Sequence, residues 1–109
     1  MRDRGDPEGA LDLYGQVLQR DPGSADALAG RGLCYLDLSR YEPAEDSFKA
    51  ALQADPQHGV ALMGLAETYR YEGRRADAVT YYQRYLAAHP GGGAAAAARN
   101  AVQALEESQ

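Results

Sequence analysis

The sequence predicts an all-α fold of stacked helical pairs, and three observations predict it. β-Branched residues are scarce: there is no Ile, Val occurs only at 17, 60, 79 and 102, and Thr only at 68 and 80. Sheets favour such side chains on their pleated faces, so strands are disfavoured. Proline recurs at a spacing of 34 residues, as Pro22, Pro56 and Pro90. Ala10, Ala44 and Ala78 stand twelve residues before these prolines, and Tyr14, Phe48 and Tyr82 stand eight before them. A constant register of this length marks units that bury their apolar faces on one another.

The elements follow in order. Helices are predicted over 7–20, 25–38, 42–54, 59–72, 75–88 and 94–107. Asp6 and Ser24 suit the N-cap positions of the first two, because their side-chain oxygens accept a free first-turn N–H. Pro43 falls in the first turn of the third, where a missing N–H costs little. Gly73 suits a left-handed residue closing the fourth. A small residue at Gly32 and Ala66 lets a partner helix approach, and Tyr35 with Phe48, then Tyr69 with Tyr82, fill the space beside it. Each proline stops a second helix and supports the turn into the next unit. Gly91-Gly92-Gly93 interrupts the chain. Beyond it Ala94, Ala97, Ala98, Ala101, Val102 and Leu105 share one side at helical spacing. A last helix of this kind, polar on its other face, closes a stack that would otherwise expose its apolar side.

This register resembles the tetratricopeptide repeat, a helix–turn–helix unit of the same length. Residues 25–58 match its signature at Gly32, Tyr35, Ala44, Phe48, Ala51 and Pro56, and depart at Leu28 and Arg31, where Trp and Leu are usual. Residues 59–92 match at Leu65, Ala66, Tyr69, Ala78, Tyr82 and Pro90, and depart at Leu62 and Tyr85. Residues 5–24 match only the second half of a unit, through Gly5-Asp6, Ala10, Tyr14 and Pro22. The resemblance implies a right-handed solenoid of about two and a half repeats, with 93–109 as a capping segment and 1–109 as one domain. It also implies a protein-interaction module, an adaptor or scaffold, and no enzyme.

In the family the first helix of each unit lines a concave groove. Carried over by position, the groove residues are Asp26, Ala29, Gly30, Leu33, Leu36 and Asp37, then Val60, Met63, Gly64, Glu67, Arg70 and Tyr71. The capping helix adds Ala94, Ala97, Ala98, Ala101, Ala104 and Leu105. This surface is apolar at its centre and charged at its edges. The chaperone-binding members hold a terminal carboxylate with Lys, Asn and Arg, and here only Arg70 is of that kind, at another position. The expected occupant is therefore an apolar or amphipathic peptide segment. Gly30 and Gly64 are costly in helices. Either a ligand approaches the backbone there, or successive first helices pack closely. The half unit at the start leaves Leu11, Leu13, Tyr14, Val17 and Leu18 without a first helix to cover them. That marks the chain as a fragment and its start as a candidate self-association surface, within a longer solenoid or a homodimer.

Composition narrows the remaining classes. The chain carries 11 Lys and Arg against 16 Asp and Glu, a net charge of −5 over 109 residues. An acidic protein is repelled by nucleic-acid backbones and anionic membranes. No apolar run approaches the ~20 residues that span a bilayer, and the N-terminus lacks the apolar stretch of a signal peptide. The tyrosines follow the repeat register, so they read as core residues rather than a base-stacking stripe. Cys34 is the single cysteine and lies in an apolar helical stretch, as a buried, inert thiol. His58 and His89 fall in inter-repeat turns without enough ligands for a metal. No catalytic constellation, cofactor or metal is expected, and a cytoplasmic location is, with a periplasmic fragment as the alternative. The bias of Arg over Lys, with abundant Ala and Gly, suggests a GC-rich bacterial coding sequence.

Overall fold

A computed structural model describes residues 6–108. It contains six helices: α1 (Pro7–Arg20), α2 (Ala25–Asp37), α3 (Tyr41–Ala54), α4 (Gly59–Tyr71), α5 (Arg75–Ala88) and α6 (Ala95–Glu107). Among the described residues there is no strand. Each helix packs on the next, and α2 also packs on α4, so the chain forms an elongated stack of 42 × 24 × 24 Å. The Gly5-Asp6 turn expected from the register lies partly outside the described residues.

The punctuation acts as the sequence implies. Asp6 Oδ1 accepts the Gly9 N–H at 3.0 Å, and Ser24 Oγ accepts the Ala27 N–H at 3.1 Å. His58 occupies the same register position as Ser24 and caps α4, its Nδ1 accepting the Ala61 N–H at 3.2 Å. Pro7 and Pro43 both fall in first turns. The turns inside the two full units close alike. Ser39 (φ 58°) and Gly73 (φ 79°) are left-handed, and the next residue donates its N–H back to Tyr35 O and Tyr69 O, each at 2.8 Å.

The core is built from the repeated positions. Ala44, Phe48, Ala51, Ala66 and Ala78 are fully buried, and Tyr82 is 1% exposed. The Phe48 ring lies between Gly32 of its own unit and Gly64 of the next: a Cβ at either glycine would lie 2.6 or 2.3 Å from it. Tyr14 covers Gly30 in the same way. Gly30 and Gly64 are therefore seats for aromatic rings from the preceding second helix. That differs from both readings open in the sequence, a ligand or a contact between first helices. Arg31 departs from the family signature, and its Nε donates to Ser47 Oγ at 3.0 Å, satisfying a hydroxyl in a residue only 1% exposed.

The two ends of the stack differ. In α6 the inward stripe is Ala95, Ala98 and Ala101, flanked by half-buried Ala94, Val102 and Leu105. Ala97 is exposed, a correction to the expected stripe. The stripe is centred on Ala98, and Ala97, about 100° round the helix from it, falls at the stripe's solvent edge. On its far side Ala96, Arg99, Asn100 and Gln103 are exposed, at the register positions of Leu62, Leu65, Ala66 and Tyr69. Polar or small residues thus replace the apolar face that a further second helix would cover. At the other end α1 leaves Leu13 57% and Val17 45% exposed.

Glu45 ties one repeat to the next. Its carboxylate accepts from Lys49 at 2.7 Å, from the Tyr69 hydroxyl at 3.1 Å and from Arg74 at 3.5 Å, while the Arg74 guanidinium lies 4.2 Å from the Tyr69 ring centre. Burial works to raise this carboxyl, but the Lys49 and Tyr69 hydrogen bonds and the charges of Lys49 and Arg74 outweigh it and hold it below its ordinary 4.5. A depressed carboxyl stabilises the fold above its ordinary pKa and loses that contribution as pH falls through its folded value. Glu45→Gln is expected to cost about 1 kcal/mol at pH 7. The difference from the parent should narrow as pH falls below 4.5 and through the folded value. Urea unfolding at pH 7 and pH 3 measures both.

Candidate functional site

The first helices build one face. Two adjoining depressions open on it. The larger, about 510 Å³, takes Asp26 and Leu33 from α2 and Val60, Met63, Gly64 and Glu67 from α4. His58, Tyr85, Gly93 and Ala94 complete its wall. The second, about 350 Å³, lies between Leu33, Leu36, Asp37, Glu67 and Tyr71, with Ser39 and Tyr41 at its rim. Leu33 and Glu67 belong to both and mark the centre of the groove.

Helical spacing explains the shared face. Positions 26, 33 and 37 on α2, and 60, 63, 64, 67 and 71 on α4, recur at three, four and seven residues. Leu33 is 39% exposed and Tyr71 67%, the latter stacked parallel on Tyr41 at 5.8 Å between ring centres. Leu36 and Met63 are half-buried, resting on the core while reaching the groove.

Of the groove residues expected on α2 and α4, the structure does not bring three to this surface, and of those expected on the capping helix only Ala94 lines it. Ala29 is 1% exposed and belongs to the core. Gly30 lies beneath the Tyr14 ring, which occupies the space a ligand would need. Arg70 is exposed but lines neither depression. Conversely, position counting omitted His58 and Tyr85. His58 stands 34 residues after the Ser24 cap, so the register did signal a capping role. With Nδ1 accepting the Ala61 N–H, its proton is on Nε2, which donates to Asp26 Oδ1 at 2.7 Å. Tyr85 is 5% exposed, and its hydroxyl accepts the Ala94 N–H at 3.1 Å. It holds the glycine turn against the groove.

The electrostatics of the groove are anionic. Asp26, Glu67 and Asp37 run from one end to the other, and no Lys or Arg lines either depression. Glu67 is half-buried, and burial pushes its carboxyl above the ordinary value, with only partial relief from the charge of Arg70. Among the described residues, no group of three His, Cys, Asp or Glu is placed to hold a metal ion, and no helix is long and apolar enough to cross a membrane.

Comparison with known proteins agrees with this architecture. Profiles described as tetratricopeptide repeat match residues 2–59 and 36–105. The chain belongs to the tetratricopeptide repeat family. Among curated relatives, a probable UDP-N-acetylglucosamine–peptide N-acetylglucosaminyltransferase SPINDLY of Petunia hybrida is 38% identical over 90 residues, and its counterpart in Solanum lycopersicum is 34% identical over 90. Each alignment covers 83% of this chain but 10% of the relative, so the chain spans about a tenth of the length of the relatives it matches. These relatives are plant proteins, so they lend no support to the bacterial source suggested by composition.

Solved structures repeat the fold. The TPR2B domain of yeast Sti1 in complex with an Hsp70 peptide superposes with a TM-score of 0.89 at 17% identity, over 96% of this tetratricopeptide domain and 86% of that chain. The first TPR domain of Spaghetti (RPAP3), bound to the HSP90 peptide SRMEEVD, gives 0.89 at 19% identity, over 97% and 84%. At these identities the likeness is one of fold.

Proposed function

We propose that this tetratricopeptide domain is a non-enzymatic interaction module, an adaptor or scaffold that holds an apolar or amphipathic peptide segment of a protein partner. The observation that carries this reading is the open groove with Leu33, Val60 and Met63 on its floor and carboxylates along its length. Apolar side chains of a peptide gain by leaving water there, and the groove's polar edge fixes their direction. Relatives named as peptide N-acetylglucosaminyltransferases and fold neighbours bound to peptides both point toward a polypeptide occupant. The contacting residues are Asp26, Leu33, Leu36, Asp37, Met63, Glu67 and Tyr71. Arg70 would reach only the outer edge, and Ala29 and Gly30 support the wall from behind. A cytoplasmic setting fits this role.

The test uses a defined probe, a 16-residue peptide of Leu, Ala and Gln with its leucines on one helical face. Binding is read by calorimetry and by amide chemical shifts. Leu33→Ser is expected to weaken it about tenfold, because an exposed contact of this size is worth roughly 1.5 kcal/mol. Circular dichroism should be unchanged. Equal binding by the variant, or shifts confined to other faces, would overturn the groove as the site.

A second reading is favoured by one observation, the exposure of Leu13 and Val17 on α1. On it, the domain also serves as a structural segment whose starting edge packs on another helix, in a longer solenoid or a homodimer.

A further inference from the structure

We infer that the groove selects a cationic partner: an amphipathic segment whose apolar side chains rest on Leu33, Val60 and Met63 while a Lys or Arg reaches Glu67. This rests on the groove reading above and specifies its occupant. Glu67 lies where the two depressions join, so any segment running along the groove passes over it. Its carboxylate is half-buried, and among the described residues no hydrogen bond or ion pair engages it. The charge of Arg70 relieves it only in part. A carboxylate with part of its water removed and no contacting partner is unfavourable, and a guanidinium or ammonium in contact restores what the water supplied.

The rest of the lining has the same sign. Asp26 stands at one end with its side chain 95% exposed and in contact with His58 Nε2, and Asp37 stands at the other. Of the described cations, Arg70 acts on Glu67 by its charge but lines neither depression and makes no ion pair with it. Lys49, Arg84 and Arg99 line other hollows, and Arg40 and Arg74 are tied to Glu8, Glu45 and Asp77. Acidic sequences such as SRMEEVD and SGPTIEEVD, found on fold neighbours, would here set carboxylate against carboxylate. Charge complementarity therefore names a basic segment and excludes an acidic one.

The experiment compares three peptides with the same leucine face and with Gln, Lys or Glu at the polar positions, measured by calorimetry on the whole chain. The Lys peptide is expected to bind at least tenfold more tightly than the Gln peptide, and the Glu peptide more weakly than either. Glu67→Gln should remove most of the Lys advantage and leave the Gln peptide unchanged. Asp46→Asn, an exposed carboxylate outside the groove, should change neither. Equal binding of the Lys and Gln peptides would overturn the inference and leave the groove reading intact. An equal loss from Asp46→Asn and Glu67→Gln would also overturn it, because the preference would then come from net charge alone. If none of the three peptides binds, the groove reading falls and this inference falls with it.

Discussion

Replacing Phe48 with alanine is expected to lower the unfolding free energy by about 3–5 kcal/mol, the usual cost of emptying a buried aromatic site. A domain of this size has on the order of 5–15 kcal/mol in total, so a third or more of its stability is at stake. The location argues for the upper end. Phe48 is fully buried and touches first helices of two successive units, at Gly32 and at Gly64. Its loss opens space inside one repeat and between two, and neither glycine has a side chain to relax into it. Urea unfolding followed by circular dichroism measures the change. The seat itself is tested from the other side. Gly64→Ala gains up to ~1 kcal/mol of helix propensity, but its Cβ meets a ring that has no exposed path to move along. We expect Gly64→Ala to destabilise the parent and to stabilise the Phe48→Ala variant. A Gly64→Ala effect of the same sign in both backgrounds would show that ring and glycine are not coupled.

The seats show what the sequence made legible and what it hid. All six helices were expected within two residues of where they lie, because caps, prolines and the 34-residue register act locally. The left-handed Gly73 was legible for the same reason. Which side chain covers which glycine was not. Tyr14 reaches Gly30, and Phe48 reaches Gly64, across the boundary between units, a distance set by how units stack. The recurrence of an aromatic sixteen residues before each glycine was a usable signal. Asp26 and His58 meet over a separation of 32 residues for the same reason. Tyr85 was hidden differently. The family places a small residue there, and only the glycine turn that follows gives a tyrosine room and a backbone N–H to hold.

The second large effect is expected at the open end. Leu13 stands at the register position of Ser47, and Val17 at that of Ala51, which are 1% and 0% exposed. In a full unit those positions are covered by the unit's own first helix, and on α1 the equivalent side chains are about half in water. The far face of α6 is polar at the matching positions, so the two ends of the stack are not equivalent. A copy of residues 25–38 placed directly before Gly5, which shares the register position of Ser39 and Gly73, should dock on α1 with its glycine opposite Tyr14. Covering the remaining halves of Leu13 and Val17 is worth about 2 kcal/mol together, or a rise of roughly 10 °C in Tm. The control carries the same added helix with Leu13→Ser and Val17→Ser, and should show little of that gain. Light scattering across concentrations follows oligomeric state, since a helix that covers the edge also removes any association through it. An unchanged Tm, with a concentration-independent monomer before and after the addition, would mean that α1 needs no covering helix. A rise that survives the serine substitutions would trace to the added helix itself rather than to the face formed by Leu13 and Val17.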